Sequence, residues 1–226
     1  MQFFKIAFCR EVGYNENRKA GIPMAKILLI NGSPNKEGCT YTALSEVAKA
    51  LNACGVESEI FWIGQKAVQG CIDCSKCKGK GGLCVFDDGV NQLLRRADEF
   101  DGMVVGSPVY YAGPNGQLCA FLDRLFYASC GRWSGKIGAA VVSCRRGGAS
   151  AAFDRLNKYF TISNMPVAPS QYWNQVHGYT PDDVRKDEEG LQTMRTLGQN
   201  IAWLVEHTKD KPRPAYEPRV STDFIR

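Results

Sequence analysis

A three-layer α/β/α fold with a five-stranded parallel sheet of order 2-1-3-4-5 is the fold class this sequence predicts. Two observations carry it. Apolar runs of β type at 25–30 (AKILLI), 102–106 (GMVVG) and 137–143 (IGAAVVS) lack the alternation of a half-exposed strand, so they belong to a sheet buried on both faces. Amphipathic helical stretches separate these runs, the pattern of a parallel sheet covered by helices on both sides.

The first strand is expected at 25–30 and the first helix at 40–54. A second strand follows at 57–63, then a cysteine-rich loop. Asp88 has the side chain to cap a helix running to about residue 98. The central strand is 102–106, a helix covers 117–129, the fourth strand is 137–143 and another helix covers 150–161. A short fifth strand is expected at 165–168. The closing helix, 188–209, carries Leu191, Met194, Leu197, Ile201 and Leu204 on one stripe. Residues 24–209 therefore read as one domain. A tail from 210 to 226 with prolines at 212, 214 and 218 is expected to be extended. Residues 1–23 precede Met24, which sits just before the first strand. They are read as an extension, with a natural start at Met24 left open.

Composition narrows the function. With 226 residues and 44% hydrophobic content, the chain can bury one substantial core. Its 28 basic and 23 acidic residues make a mixed surface of net charge +5, which gives no support to nucleic-acid binding. No apolar run is long enough to span a bilayer, and Lys5 interrupts the apolar start where a leader would need continuity. Ten irregularly spaced cysteines without an export signal favour a reducing compartment, so a cytoplasmic location is expected.

Four of those cysteines, Cys71, Cys74, Cys77 and Cys84, fall within fourteen residues at C-x2-C-x2-C-x6-C spacing. Thiolates so spaced can converge on a soft-metal centre, and three stand too close together for the separated knuckles of a zinc ribbon. An iron-sulfur centre and a plain loop of reduced cysteines both fit the spacing. Lys76, Lys78 and Lys80 lie among them, read as a solvated loop or as a positive rim for an anionic partner.

Ligands of an open α/β sheet bind outside the carboxyl ends of its strands. The first such loop, residues 31–40 (NGSPNKEGCT), ends at a helix start. There the hydroxyls of Ser33 and Thr40 join free backbone amides to suit a monophosphate such as that of FMN. Neither G-x-x-x-x-G-K-[ST] nor G-x-G-x-x-G is present, which argues against nucleoside triphosphate and dinucleotide sites. The second loop, 107–116 (SPVYYAGPNG), sets Tyr110 and Tyr111 beside small residues, as a flat heterocycle needs. The third, 143–148 (SCRRGG), joins cationic donors to a glycine pair.

At these residues the chain resembles the NADPH-dependent FMN reductase family of flavodoxin-like proteins. Ile30-Asn31-Gly32-Ser33-Pro34 with Gly38-Cys39-Thr40 resembles its phosphate loop. Ser107-Pro108-Val109-Tyr110 with Phe121-Leu122-Asp123-Arg124 is similar to its flavin loop and following helix. The cysteine run with Val85-Phe86-Asp87-Asp88 resembles the iron-sulfur flavoproteins of that group. The resemblance spans roughly residues 25 to 205. Two positions depart from the pattern: Cys39 stands where asparagine is usual, and the third loop carries Arg145 and Arg146 in place of a glycine-rich run.

The resemblance implies an FMN-dependent oxidoreductase in which the flavin carries the chemistry and no side chain acts as acid or base. It assigns the phosphate to Ser33, Asn35, Gly38, Cys39 and Thr40. It assigns the isoalloxazine to Pro108, Val109, Tyr110, Tyr111 and Gly113, and the ring edge to Ser143, Arg145, Gly147 and Gly148. A 4Fe-4S cluster would take Cys71, Cys74, Cys77 and Cys84. Two activities follow: NAD(P)H-dependent reduction of flavin, quinone or nitroaromatic acceptors, or electron exchange with a ferredoxin-like partner. Homodimers or homotetramers are expected. The segment 172–177, with His177, reads as a packed aromatic loop more readily than as a lid over the flavin.

Overall fold

The computed structural model describes residues 24–218 except Lys80, together with Val220 and Thr222. The expected extension 1–23 lies outside the described residues.

Five parallel strands form the sheet: β1 (Lys26–Asn31), β2 (Glu57–Trp62), β3 (Gly102–Tyr110), β5 (Ile137–Cys144) and β6 (Gln175–His177). Their spatial order is β2-β1-β3-β5-β6, which is the predicted 2-1-3-4-5 once the parallel strands are counted in sequence. A sixth strand, β4 (Gly113–Pro114), pairs antiparallel with the far end of β3 and is an addition to the expected plan. Side chains alternate across the sheet, so β1, β3 and β5 each feed two cores. Leu28 and Ile30 of β1 face one core with Leu118, Phe121 and Leu122, whereas Ile27 and Leu29 face the other with Val47, Leu51 and Ile201.

The first of these cores is closed by helices α3 (Gly89–Arg95), α4 (Gly116–Ala128) and α5 (Ala149–Ile162), and the second by α1 (Cys39–Ala53), α6 (Pro181–Lys186) and α7 (Glu188–Thr208). A single turn, α2 (Lys76–Gly79), sits in the cysteine loop. Asp88 caps α3 as expected, its Oδ1 accepting from the Val90 N–H at 3.0 Å. The helix is shorter than anticipated, and a 3-10 turn (Ala97–Glu99) completes it. Helix α6 was not expected from the sequence, although Thr180 and Asp183 form a full capping box around Pro181.

The fifth strand needs correction. The expected segment, 165–168, makes only one bridge, Val167 to Gly138, and the strand proper is β6. Pro166 and Pro169 have no N–H to give a ladder, so pairing stops after the bonds of Gly138 N–H to Pro166 O and Ala168 N–H to Gly138 O, both 2.9 Å. The chain then leaves the edge after Ala168 and rejoins it as β6 at Gln175.

Candidate functional site

All three predicted ligand loops open at the carboxyl ends of β1, β3 and β5, and hydrogen bonds between them fix their relation. Gly32 N–H donates to Gly106 O at 2.9 Å, and the Asn115 side chain donates to Gly32 O at 3.0 Å, tying the first loop to the second. Thr40 Oγ1 and Ser143 Oγ lie 2.8 Å apart, joining the first loop to the third. Gly148 has φ +87°, and a Cβ there would come within 2.8 Å of Ala112 Cα, so glycine alone lets the third loop close on the second.

The first loop is pre-shaped from within. Asn31 Oδ1 accepts from Ser33 N–H at 3.1 Å, Ser33 Oγ accepts from Asn35 N–H at 3.1 Å, and the Trp62 indole donates to Ser33 O at 2.8 Å. Helical bonding in α1 begins with Thr42 N–H to Gly38 O, which leaves the amides of Thr40 and Tyr41 without helical partners. Its N-cap, Gly38, has no side chain to satisfy them. A long helix with an uncapped start, a buried threonine hydroxyl and the positive end of its dipole suits a phosphomonoester. Ser33, Asn35, Gly38 and Thr40 gather around this start. Cys39 turns aside: its thiol points to Gly178 O at 3.8 Å, and burial pushes its pKa up, so it is a neutral packing group there.

In the second loop, Tyr111 and Ala112 have φ of 51° and 59°, the consecutive left-handed pair of a tight hairpin turn between β3 and β4. Neither turn residue is glycine or asparagine, so no local signal marks it. The turn leaves Tyr110 half exposed and Tyr111 wholly in solvent, while Pro108, Val109 and Gly113 are partly covered. Non-glycine residues held at positive φ mark strain retained at functional sites. In the third loop Ser143 is buried, and Arg145, Arg146 and Gly147 are exposed beside it. Tyr172 and Trp173 pack on each other with ring centroids 5.1 Å apart, and both remain about half exposed. His177 faces Asp187, whose carboxylate accepts the His177 N–H at 2.7 Å.

The four cysteines line one cavity, together with Ile72, Phe86, Arg124 and Tyr127. They are held unequally. Cys71 and Cys74 are exposed, in a stretch where Asp73 and Ser75 take positive φ, and Cys77 is buried with its thiol pKa raised by that burial. Cys84 is fixed: the Asn91 side chain accepts from its N–H at 2.8 Å and donates to its carbonyl at 3.0 Å. Among the described residues no three His, Cys, Asp or Glu side chains are gathered as around a single metal ion. The four thiols share the wall of a mostly apolar cavity with the Arg124 cation, and thiols are the donor set that iron-sulfur centres take. Lys76 and Lys78 are exposed on the rim, and Lys80 is outside the described residues.

Arg124 and Asn91 were not singled out from the sequence as site residues. The available signal was a cation on the apolar stripe of Phe121, Leu122, Leu125 and Ala128 in α4, and Arg124 is 1% exposed.

The family described as NADPH-dependent FMN reductase matches residues 25–180. An iron-sulfur flavoprotein of Methanocaldococcus jannaschii is 33% identical over 192 residues, covering 81% of this chain and 99% of its own. An iron-sulfur flavoprotein of Archaeoglobus fulgidus is 35% identical and covers 85% of each chain. Among solved structures, RosB with a bound 8-demethyl-8-formylriboflavin-5'-phosphate intermediate aligns over 89% of this chain and 94% of its own, with TM-score 0.64 and 14% identity. A flavodoxin from the domain Archaea aligns with TM-score 0.55 and 18% identity over 81% of this chain and all of its own. At these identities the two structures attest the fold alone.

Proposed function

The chain belongs to the NADPH-dependent FMN reductase family, on its iron-sulfur flavoprotein branch, and is an FMN-binding oxidoreductase; from that premise we propose that it carries a 4Fe-4S cluster beside its flavin and exchanges electrons with a ferredoxin-like partner. The observation that carries this reading is the single cavity lined by Cys71, Cys74, Cys77 and Cys84. When bound, FMN supplies hydride and single-electron transfer and the cluster supplies single-electron storage.

The protein's part is binding and orientation. The amides of Thr40 and Tyr41 with the Thr40 hydroxyl receive the phosphate, and Ser33, Asn35 and Gly38 shape the loop around it, with Cys39 packed behind. Pro108, Val109, Tyr110, Tyr111 and Gly113 flank the ring system. Ser143, Arg145, Gly147 and Gly148 meet its polar edge, where arginine favours a negative charge. The cysteine loop packs against the carboxyl-terminal half of α4, with Lys76 and Lys78 offering attraction to an acidic partner. No described helix is long and apolar enough to cross a membrane. The abundance of cysteines favours a reducing, cytoplasmic location in this reading, with the chain as a homodimer or homotetramer.

Protein produced anaerobically with cluster-assembly machinery is expected to hold about four iron and four sulfide per chain. Cys74→Ser should abolish both while FMN stays bound. Iron-free wild-type protein under those conditions would overturn the cluster. A second reading, NAD(P)H-dependent reduction of flavin, quinone or nitroaromatic acceptors, is favoured by exposed Arg145 and Arg146 at the site mouth, donors for an anionic nicotinamide. Replacing both with glutamine should raise the KM for the nicotinamide more than it lowers flavin occupancy. Anaerobic stopped-flow mixing decides between the readings: flavin left oxidised by NADH and NADPH but reduced by ferredoxin excludes the second.

A further inference from the structure

Arg124 is the most completely engaged charged group of the cysteine site. Its guanidinium pairs bidentately with Asp88, Nη1 to Oδ2 at 2.6 Å and Nη2 to Oδ1 at 2.9 Å. Nη1 also donates to Gln69 O at 3.2 Å, and Nη2 to Phe86 O at 3.1 Å. The remaining donor, Nε–H, reaches the Cys84 sulfur at 3.3 Å. Five bonds thus use all five N–H groups of the side chain. Arg124 Cζ lies over the Phe86 ring, 5.1 Å from its centroid.

Burying a cation is costly unless it is paired, and Asp88 provides the pairing. Asp88 is itself fixed as the cap of α3, so the fork is held by two helices, α3 and α4, and its Nε–H has one direction left to point. That direction is the cysteine separated from the other three by six residues. Cys71, Cys74 and Cys77 lie within seven residues of one another, whereas Cys84 joins the same cavity from a stretch held by Asn91 of α3. A charge-assisted N–H donor on a sulfur ligand does two things. It orients the ligand, and it draws electron density from the sulfur, which eases addition of an electron to the metal centre.

We propose that Arg124 is a positioning residue of the cysteine site: through its Nε–H it holds the Cys84 sulfur in place as a cluster ligand and raises the potential at which the cluster takes up an electron. This rests on the reading of the four cysteines as cluster ligands, and its test separates the two. Two variants are compared with anaerobically produced wild type. Arg124→Lys keeps a cation for Asp88 but lacks the planar fork that reaches sulfur on its other side. Arg124→Gln combined with Asp88→Asn removes the ion pair as a unit while leaving a side chain that can cap α3. Bound FMN reports an intact fold, iron content reports loading, and a reductive titration followed by electron paramagnetic resonance reports the potential.

Both variants should bind FMN as the wild type does, show a more negative cluster potential, and lose iron to a chelator about 10-fold faster or more. Unchanged potential in FMN-loaded, iron-loaded variants would overturn the proposal. Faster iron loss at unchanged potential would overturn it as well, because a purely structural tie between loop and helix gives that result. Iron-free wild-type protein would remove the cluster and this inference with it.

Discussion

Thr40→Val is the most direct probe of the phosphate loop. Thr40 is 1% exposed, its hydroxyl lies 2.8 Å from Ser143 Oγ, and valine has nearly the same shape, so the change removes one polar group and leaves no cavity. In the apoprotein the buried Ser143 hydroxyl loses a partner, a cost of about 1 kcal/mol in denaturant melts. Toward FMN the loss is larger, because a hydrogen bond to a charged phosphate contributes about 1.5 to 3 kcal/mol. That range converts to binding weaker by about 10- to 150-fold. Thr40→Ser is the matched control. It keeps the hydroxyl and deletes one buried methyl, so stability should fall by about 1 kcal/mol while FMN affinity stays near wild type. Fluorescence titration of apoprotein with FMN measures both. The reasoning fails if Thr40→Val binds within twofold of wild type. It fails equally if Thr40→Ser is as weak as Thr40→Val, since packing of the methyl group would then carry the effect.

Two further changes test the frame around the site. Gly32→Ala would push a Cβ to 2.8 Å from Gly106 O and into the Leu118 side chain, so unfolding free energy should drop by about 1 to 3 kcal/mol with FMN affinity falling alongside, both measurable by denaturant titration with and without flavin. Glu59 is held by the Arg96 fork at 2.7 and 2.8 Å and by Lys26 at 2.8 Å, which brings its carboxyl from the ordinary 4.5 down to about 2. A lowered carboxyl pKa stabilises the fold fully above about pH 4.5, and that contribution disappears as pH falls toward 2. Urea melts at pH 7, 5, 4 and 3 should therefore show Glu59→Gln less stable than wild type at the first two, with the gap shrinking at the last two; a constant gap refutes the linkage.

The buried strands were readable because β1, β3 and β5 are covered on both faces, and continuous Leu, Ile and Val runs have few other uses in a chain of this size. The Asp88 cap and the shared location of the three ligand loops were readable for local reasons of the same kind. What escaped was set by partners distant in sequence. The edge strand shifted from 165–168 to Gln175–His177 because prolines stop the ladder, a matter of which neighbour the chain faces. The Tyr110–Gly113 turn was hidden because tyrosine and alanine seldom adopt positive φ, and closure by β4 and Gly148 holds them there. Cys39 was grouped with the phosphate ligands by position, whereas its thiol faces Gly178. Arg124 entered only as part of the Phe121–Arg124 motif, and its role is set by Asp88, Phe86 and Cys84, which lie far from it in sequence.

The interrupted edge beside β5 bears on how the molecule behaves in a crowded cell. An open strand margin invites a second chain to add on, and that addition can repeat into fibres. Here the margin is broken up: β6 offers only three residues, the two prolines interrupt the stretch before it, and Asn174 covers the gap by donating from its side chain to Ala140 O at 3.0 Å while its own carbonyl accepts from Val142 N–H at 3.0 Å. The opposite margin, β2, begins with exposed Glu57, and charged side chains on an edge disfavour strand addition. Both described flanks of the sheet thus carry features that oppose the templated addition of a further strand.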